Sequence, residues 1–363
     1  MDITQLRAEL DHIDRDLVRL AAERQRIVAE IGRSKRGTGR PLRDFRREKE
    51  VLDNVRGHAR EAGIDPELAA GLMELLIAAS LTRQEQDTVR ALSQGNGKRA
   101  LVIGGSGRMG AWFARFLDAQ GYAVEVADPA PNAAGFAQRE RWNTGEIAHD
   151  LIVVATPLRA AVQILGELAL ARPPGVVFDL GSIKTPLRGV LQQLTAAGVR
   201  ATSIHPMFGP SADVLAGRHV VLIDTGDRSA LETARNLFAS TTAITVEMDL
   251  DEHDRVIALV LGLSHALNIA FTAALAGSGV DPERLKAVSS TTFGAQLRIA
   301  EGVARENPHL YFEIQSLNAH NGPALTALDE AVHTLLAAVR NGDEQSFVTL
   351  MQSGRDYLHA GAE

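Results

Sequence analysis

Ile3, Leu6, Leu10, Ile13, Leu17, Leu20, Ile27 and Ile31 recur at steps of three and four residues, the seam of one long packed helix. Gly37, Gly39 and Pro41 stop it. A second helix is expected from about Asp44, and Gly63 and Pro66 separate it from a third over about 67 to 92. Residues 93–97 (SQGNG) read as a linker. The pattern then changes to short apolar, β-rich runs between helical runs, with strands expected at 100–103, 123–127, 151–155, 176–180, 201–204 and 219–223. This is the doubly wound parallel α/β pattern. From about Asp249 the chain returns to helix, with stops near 277–282, 307–308 and 341–342. Three domains are therefore expected: all-α over 1–92, α/β over 98–246 and all-α over 247–363.

In the middle region Gly105-x-Gly107-x-x-Gly110 leads from the first strand into a helix opening with Arg108 and Met109, and the second strand ends at Asp128. One glycine permits the tight turn, the next lets backbone approach a pyrophosphate, and the third lets helix pack on strand. The helix N-terminus offers N–H groups and partial positive charge to phosphates. A carboxylate at Asp128 accepts from both ribose hydroxyls and repels a 2′-phosphate. Strand, loop, helix, strand and acid in that order predict a Rossmann-type domain that binds NAD rather than NADP. Three more polar segments end strands where open parallel sheets bind ligands: Thr156-Pro157, Ser182 with Lys184, and His205-Pro206. A histidine before proline is ordinarily a solvent-facing turn residue, but three polar strand ends at one crevice make His205 a site candidate.

Composition removes several function classes. The chain has 363 residues, 45% hydrophobic, which supports ordinary cores in two or three domains. A net charge of −7 and an aromatic fraction of 4% give no whole-protein case for nucleic acid. There is no cysteine, so disulfides and thiolate metal sites are excluded, and no metal is expected. The acidic amphipathic start is not a signal segment, which points to the cytoplasm. Residues 256–276 imitate a membrane span but contain Ser264, His265, Asn268 and Thr272 and stand alone. A buried helix at a subunit interface is expected there, with no membrane partner.

The first helix has a fault in its seam: continuing the spacing from Leu20 places Arg24 among apolar positions. Such a charge is costly unless paired, or else its stem packs while its head reaches water. Arg24 and Lys35 are eleven residues apart, nearly on one face. Asp44, Arg47 and Glu48 lie at i, i+3, i+4, and Ser80 and Gln84 at i, i+4. Residues 1–60 carry more Lys and Arg than Asp and Glu, so a helical interaction module for an acidic partner stays open beside a small-molecule pocket.

The segments Leu6-Arg7, Ala22-Glu-Arg24, Ile31-Gly-x-x-Lys35 and Arg40-Pro-x-Arg43-Asp44-x-x-Arg47-Glu48, with Ser80 and Gln84, resemble the all-helical class of chorismate mutase. The resemblance implies a pocket of Arg7, Arg24, Lys35, Asp44, Arg47, Glu48, Ser80 and Gln84 that rearranges chorismate to prephenate. It assigns the substrate carboxylates to arginines, the ether oxygen to Lys35 and Gln84, and the ring hydroxyl to Glu48. Arg7 and Arg24 are seventeen residues apart, about 25 Å along a continuous helix. If both touch one small substrate, Arg7 comes from an antiparallel partner chain, and a homodimer is expected.

His205-Pro-Met-Phe-Gly-Pro210, Ser182-x-Lys184, Glu252-His-Asp254 and Ser264-His265 resemble prephenate dehydrogenases, and the domain order resembles the bifunctional chorismate mutase–prephenate dehydrogenases of tyrosine biosynthesis. The resemblance makes the C-terminal helices a dimerisation domain. It gives His205 the role of base toward the ring hydroxyl, and Ser182 that of orienting His205 or the nicotinamide. Lys184 and His265 fall to the substrate, Thr156 to the cofactor. His265 as a satisfied core histidine stays open. One departure concerns the family's substrate arginine after the Ser-Ser/Thr run: Gly294 stands there, and Arg298 follows one turn later. Arg298 either reaches the same carboxylate or is a solvent-facing charge. Arogenate or 4-amino-4-deoxyprephenate as substrate, and a non-catalytic NAD-sensing regulator, stay open as alternatives.

Overall fold

The computed structural model describes residues 2–37, 44–92, 95–212 and 215–360, the side chains of 35–37, 86 and 90 excepted. It divides into two compact units, Met1–Gly181 with Val190–Met248, and Ser182–Gly189 with Asp249–Glu363. The first unit opens with helices α1 (Ile3–Gly37), α2 (Phe45–Glu61) and α3 (Pro66–Ala91). The apolar seam forms one unbroken helix of 35 residues. Its stripe is not covered within the chain: Ile3, Leu10 and Leu17 are 62, 56 and 60% exposed. Asp44 accepts from the Arg47 N–H at 3.0 Å and starts α2, while Asp65 accepts from the Glu67 N–H with Pro66 in the first turn of α3. The rest of the first predicted turn (38–43) and linker residues 93–94 lie outside the described residues.

An eight-stranded sheet follows in the same unit: β1 (Arg99–Ile103), β2 (Ala123–Ala127), β3 (Ala137–Arg139), β4 (Leu151–Val154), β5 (Val176–Asp179), β6 (Ala201–Pro206), β7 (His219–Asp224) and β8 (Ile244–Asp249). Their order is β3-β2-β1-β4-β5-β6-β7-β8. Helices α4 (Arg108–Ala119), α5 (Leu158–Ala171), α6 (Arg188–Ala196) and α7 (Arg228–Phe238) connect them. Strands β1 and β4 are wholly or almost wholly buried beyond Arg99, as two-sided parallel strands must be. Phe113 of α4 packs edge to face on Phe178 of β5 and on Phe238 of α7.

The sheet departs from the predicted parallel pattern in three places. Strand β7 runs antiparallel to β6, with His205 opposite Val221. The described part of 207–218 has no helix to carry a parallel crossover, so the chain turns back beside its predecessor. β3 has three residues and no β-branched side chain, hence no sequence signal. A bidentate pair from Arg139 to Glu125 on β2, both bonds 2.7 Å, fixes it. β8 is an edge strand of alternating, partly exposed residues that the sequence pattern passed over.

The second unit is helical: α8 (Leu250–Ile257), a π-helical turn Ala258–Leu263, α9 (Ser264–Gly277), α10 (Pro282–Ala287), α11 (Thr291–Ala304), α12 (Pro308–Leu317), α13 (Asn321–Asn341) and α14 (Glu344–Ala360). Gly342 closes α13 at φ +63°. The run Leu250–Gly277 is long and apolar enough to cross a membrane by length and composition. In the single chain Leu259 and Leu267 of this run are 54 and 48% exposed, so the interface expected there is not covered within one chain.

Asp254 ties segment 182–189 to α8. Its carboxylate accepts from the Lys184 N–H at 2.7 Å, from the Thr185 N–H, and from the Thr185 hydroxyl at 2.5 Å, and it pairs with His253 Nδ1 at 2.7 Å. Burial pushes this carboxyl up, but the hydrogen bonds from His253, Thr185 and the Lys184 amide outweigh it and hold it below the usual range. A depressed carboxyl contributes stability above its ordinary value near ~4 and loses it as pH falls through the depressed one. Asp254→Asn is therefore expected to lower stability by about 2–4 kcal/mol at pH 7. Thermal unfolding from pH 7 to pH 2 checks this: the gap to wild type should shrink below about pH 4.

Candidate functional site

The first candidate site lies between α1 and α3. Arg24 Nη1 donates to Ser80 Oγ at 3.0 Å and to the Leu76 carbonyl at 3.2 Å. Burial pushes its guanidinium below its usual value. Gln25 joins the group, accepting from Ser80 Oγ at 3.0 Å and donating to the Leu76 carbonyl at 3.2 Å. Gln84 Nε2 donates to the Val28 carbonyl at 3.0 Å, which fixes the amide plane. Gly32 makes room for this glutamine, because a Cβ there would lie 2.9 Å from Gln84 Cγ. Arg24, Ser80 and Gln84 are thus brought together, with Gln25 a neighbour that the seam spacing did not single out.

The other predicted members lie at the start of α2 and near the start of α1. Asp44 caps α2, and Arg47 Nη1 pairs with Glu50 at 3.1 Å. Glu48 lies half-buried in the first turn of α2. Arg7 is exposed on the same unbroken helix as Arg24, about 25 Å away. The Lys35 side chain lies outside the described residues.

The second candidate site is a cleft of about 700 Å³ lined by Gly104, Gly107, Asp128, Arg141, Trp142 and Thr156. It sits at the carboxyl ends of β1, β2 and β4, where the strand order reverses. Gly104 turns at φ +84°, and a Cβ on it would lie 2.7 Å from the Ala155 carbonyl oxygen. A Cβ on Gly110 would lie 2.1 Å from the Gly104 carbonyl oxygen, so the helix start seats directly on the loop. Gly105 abuts Val126 from below, and Gly107 opens α4 without a side chain over its N–H groups. Arg108 is exposed and Met109 half-buried in that first turn.

Asp128 Oδ2 accepts from the Ser106 N–H at 3.1 Å and Oδ1 from the Ala130 N–H at 2.9 Å. Each oxygen keeps a lone pair for a hydroxyl. Thr156 Oγ1 is buried and finds no hydrogen-bond partner among the described residues. Glycine loop, helix N-terminus, paired-acceptor carboxylate and orphaned hydroxyl fit a dinucleotide. Arg141 and Trp142 were not foreseen, since they follow β3 in an irregular stretch without periodicity.

His205 stands in β6 of the same unit, 3% exposed. It lies within the strand rather than just past it, because β6 runs on to Pro206. The segment beyond is held by Trp112 Nε1, which donates to the Ala212 carbonyl at 2.7 Å, and Phe208 packs edge to face on Trp112.

The second unit carries the remaining candidates. Ser182 is half-buried and Lys184 fully buried, its N–H in the Asp254 network. His265 stacks on Tyr311 with centroids 4.1 Å apart. Burial pushes its imidazole down, so the ring is neutral near pH 7. Its Nδ1 is buried and lacks a partner among the described residues, so it is not a satisfied core histidine. Arg298 is exposed but folds back one turn: a Cβ built on Gly294 would lie 3.8 Å from its Nη1 and 3.2 Å from Ser289 Oγ.

Gly110→Ala drives a methyl into the Gly104 carbonyl. Calorimetry should show dinucleotide affinity falling by about tenfold or more, with helix content by circular dichroism unchanged.

Three family models match the chain: chorismate mutase type II over residues 6–85, the prephenate dehydrogenase nucleotide-binding domain over 130–247 and the prephenate dehydrogenase dimerization domain over 249–353. A T-protein of Enterobacter agglomerans is 26% identical over 96% of this chain and 90% of its own length. A 4-amino-4-deoxyprephenate dehydrogenase of Streptomyces pristinaespiralis is 32% identical over 73% of this chain and 93% of its own. A crystal structure of A. aeolicus prephenate dehydrogenase, in complex with hydroxyphenyl propionate and NAD+, shares the fold at a TM-score of 0.57 and 21% identity over 72% of this chain and 98% of that one. Mutase-type helices followed by a dinucleotide cleft and a dimerisation-type helical unit place the chain in the family of bifunctional chorismate mutase–prephenate dehydrogenases, to which it belongs.

Proposed function

We propose that the helices α1 to α3 rearrange chorismate to prephenate and that the rest of the chain converts prephenate, with NAD, to 4-hydroxyphenylpyruvate and carbon dioxide. The observation that carries this is a pair of unlike sites in one chain: a half-buried arginine among amides and hydroxyls, and a dinucleotide cleft on the sheet that bears a buried imidazole.

The rearrangement is unimolecular and needs no nucleophile or proton transfer, so the pocket works by holding a compact conformer and meeting charge on the breaking ether bond. Arg24, whose head is fixed by Ser80 and Leu76, binds a carboxylate through its forked donors. Gln84, its amide oriented by Val28, and Lys35 meet the ether oxygen. Arg47 and Glu48 serve the second carboxylate and the ring hydroxyl. Asp44 contributes by starting the helix that carries both. Arg7 acts from a partner chain, because α1 does not bend. The exposed stripe of α1 and the exposed run Leu250–Gly277 are covered in the resulting cytoplasmic homodimer.

In the second reaction His205 accepts the ring-hydroxyl proton as the carbon beneath it is oxidised, carbon dioxide leaves and the ring becomes aromatic. When bound, NAD supplies the two-electron acceptor. Asp128 takes the adenosine ribose hydroxyls, Thr156 Oγ1 donates along the cofactor, and the start of α4 holds the pyrophosphate. His265 and Arg298 bind substrate, and Arg298 replaces from one turn later the anchor that Gly294 lacks. Ser182 orients the dehydrogenase groups, and Lys184 adds positive charge for the dianion.

NADH formation is measured with chorismate, prephenate, arogenate and 4-amino-4-deoxyprephenate offered separately. Prephenate is the expected substrate, and turnover of an aminated compound alone contradicts that choice. His205→Asn should cut NADH formation by about 100-fold or more while chorismate consumption is unchanged. Arg24→Ala should do the reverse, lowering chorismate consumption by about 100-fold or more, whereas full mutase activity in that variant would favour a helical interaction module.

A further inference from the structure

Glu85 follows Gln84 on α3 and so points about 100° away from it around the helix, off the face on which Gln84 meets α1. Its carboxylate is buried, 5% exposed. Oε2 accepts from the Leu215 N–H at 2.8 Å, and Oε1 accepts from the Thr242 N–H at 2.7 Å and the Thr242 hydroxyl at 3.0 Å. These donors belong to two separate segments of the nucleotide-binding domain. Leu215 stands in the stretch that leaves β6 after His205, and Thr242 in the turn between α7 and β8. One carboxylate is thus a fork with a different segment on each oxygen.

Simple adhesion between the mutase helices and the sheet does not call for this. A buried carboxylate met, among the described residues, by neutral donors costs more than an apolar side chain of like size. What the fork adds is geometry. Leu215 is itself 4% exposed in the core with Trp112 and Phe116, and its N–H bond to Glu85 is buried. Glu85 is the acceptor that satisfies it. Before Leu215 the segment is fixed to Trp112 at Ala212 and to β7 by the Met207 N–H on the His219 carbonyl at 2.9 Å. Among the described residues, Glu85 holds it at Leu215 by a side chain.

We propose that Glu85 is a positioning residue of the dehydrogenase reaction, by which the end of mutase helix α3 holds the segment after His205 and so sets the imidazole. The inference rests on His205 being the base. It makes the mutase helices a structural part of the dehydrogenase site, although they supply no group to its chemistry.

The test uses the full-length enzyme with saturating prephenate and NAD. Glu85→Gln puts an amide N–H₂ against a backbone donor. It is expected to lower the dehydrogenase kcat by about 10- to 100-fold and to displace the acidic limb of its pH profile. KM for NAD should be kept, and mutase kcat/KM should stay within about twofold. Glu85→Asp, which keeps the acceptors, should recover part of kcat. Wild-type dehydrogenase kcat and pH profile in Glu85→Gln overturn the proposal, as does an equal loss of both activities. If Glu85→Gln does not fold, Glu85→Asp decides on the same readouts: a lowered dehydrogenase kcat with mutase activity retained supports it, and unchanged kinetics overturn it. Failure of the underlying function looks different, because the wild type would then form no NADH from prephenate.

Discussion

A charged group taken out of water must be met by partners already in place, and this chain depends on that requirement wherever a functional segment has to be held. Arg24 is met by Ser80 and the Leu76 carbonyl, which fixes its head between α1 and α3. Asp254 is met by Lys184, Thr185 and His253, which fastens segment 182–189 to α8. Arg139 is met by Glu125, and a strand with no propensity of its own forms beside the cofactor cleft. In each case the charge does what apolar contact cannot, because it fixes an orientation as well as a burial.

A second constraint is the stiffness of α1. An unbroken helix from Ile3 to Gly37 keeps Arg7 away from Arg24 and leaves a long apolar stripe uncovered. The homodimer proposed above answers both facts by laying a second copy along the stripe. The exposed apolar run in the second unit points the same way, and a dimerization-domain family model covers it. In the function proposed above, oligomer and active site are one problem at the mutase end, with Arg7 supplied by the second chain.

Much of this was legible in the sequence, for reasons that can be named. Long-period signals survive: the α1 seam rests on helical periodicity, while the glycine loop at Gly104 and the stop at Gly342 rest on backbone conformations that few residues permit. What was missed rests on partners distant in sequence. β3 exists because Arg139 finds Glu125. The antiparallel turn of β7 follows from a connection without a helix. Gln25, Arg141 and Trp142 reach their sites from stretches whose spacing marks nothing. Gly294 was visible as a departure, but that Arg298 folds back over it needed the turn of α11 to be seen.

The central claim is that one polypeptide carries two separate chemistries at two separate sites. Its most direct test mixes two single-site variants, Arg24→Ala and His205→Asn, and follows NADH after adding chorismate and NAD. Each variant alone should form NADH from chorismate about 100-fold or more slowly than the wild type. The mixture should form it after a lag, as prephenate made by one protein reaches the other. A mixture as silent as its components, with each variant shown to keep its own half-reaction, would contradict the claim.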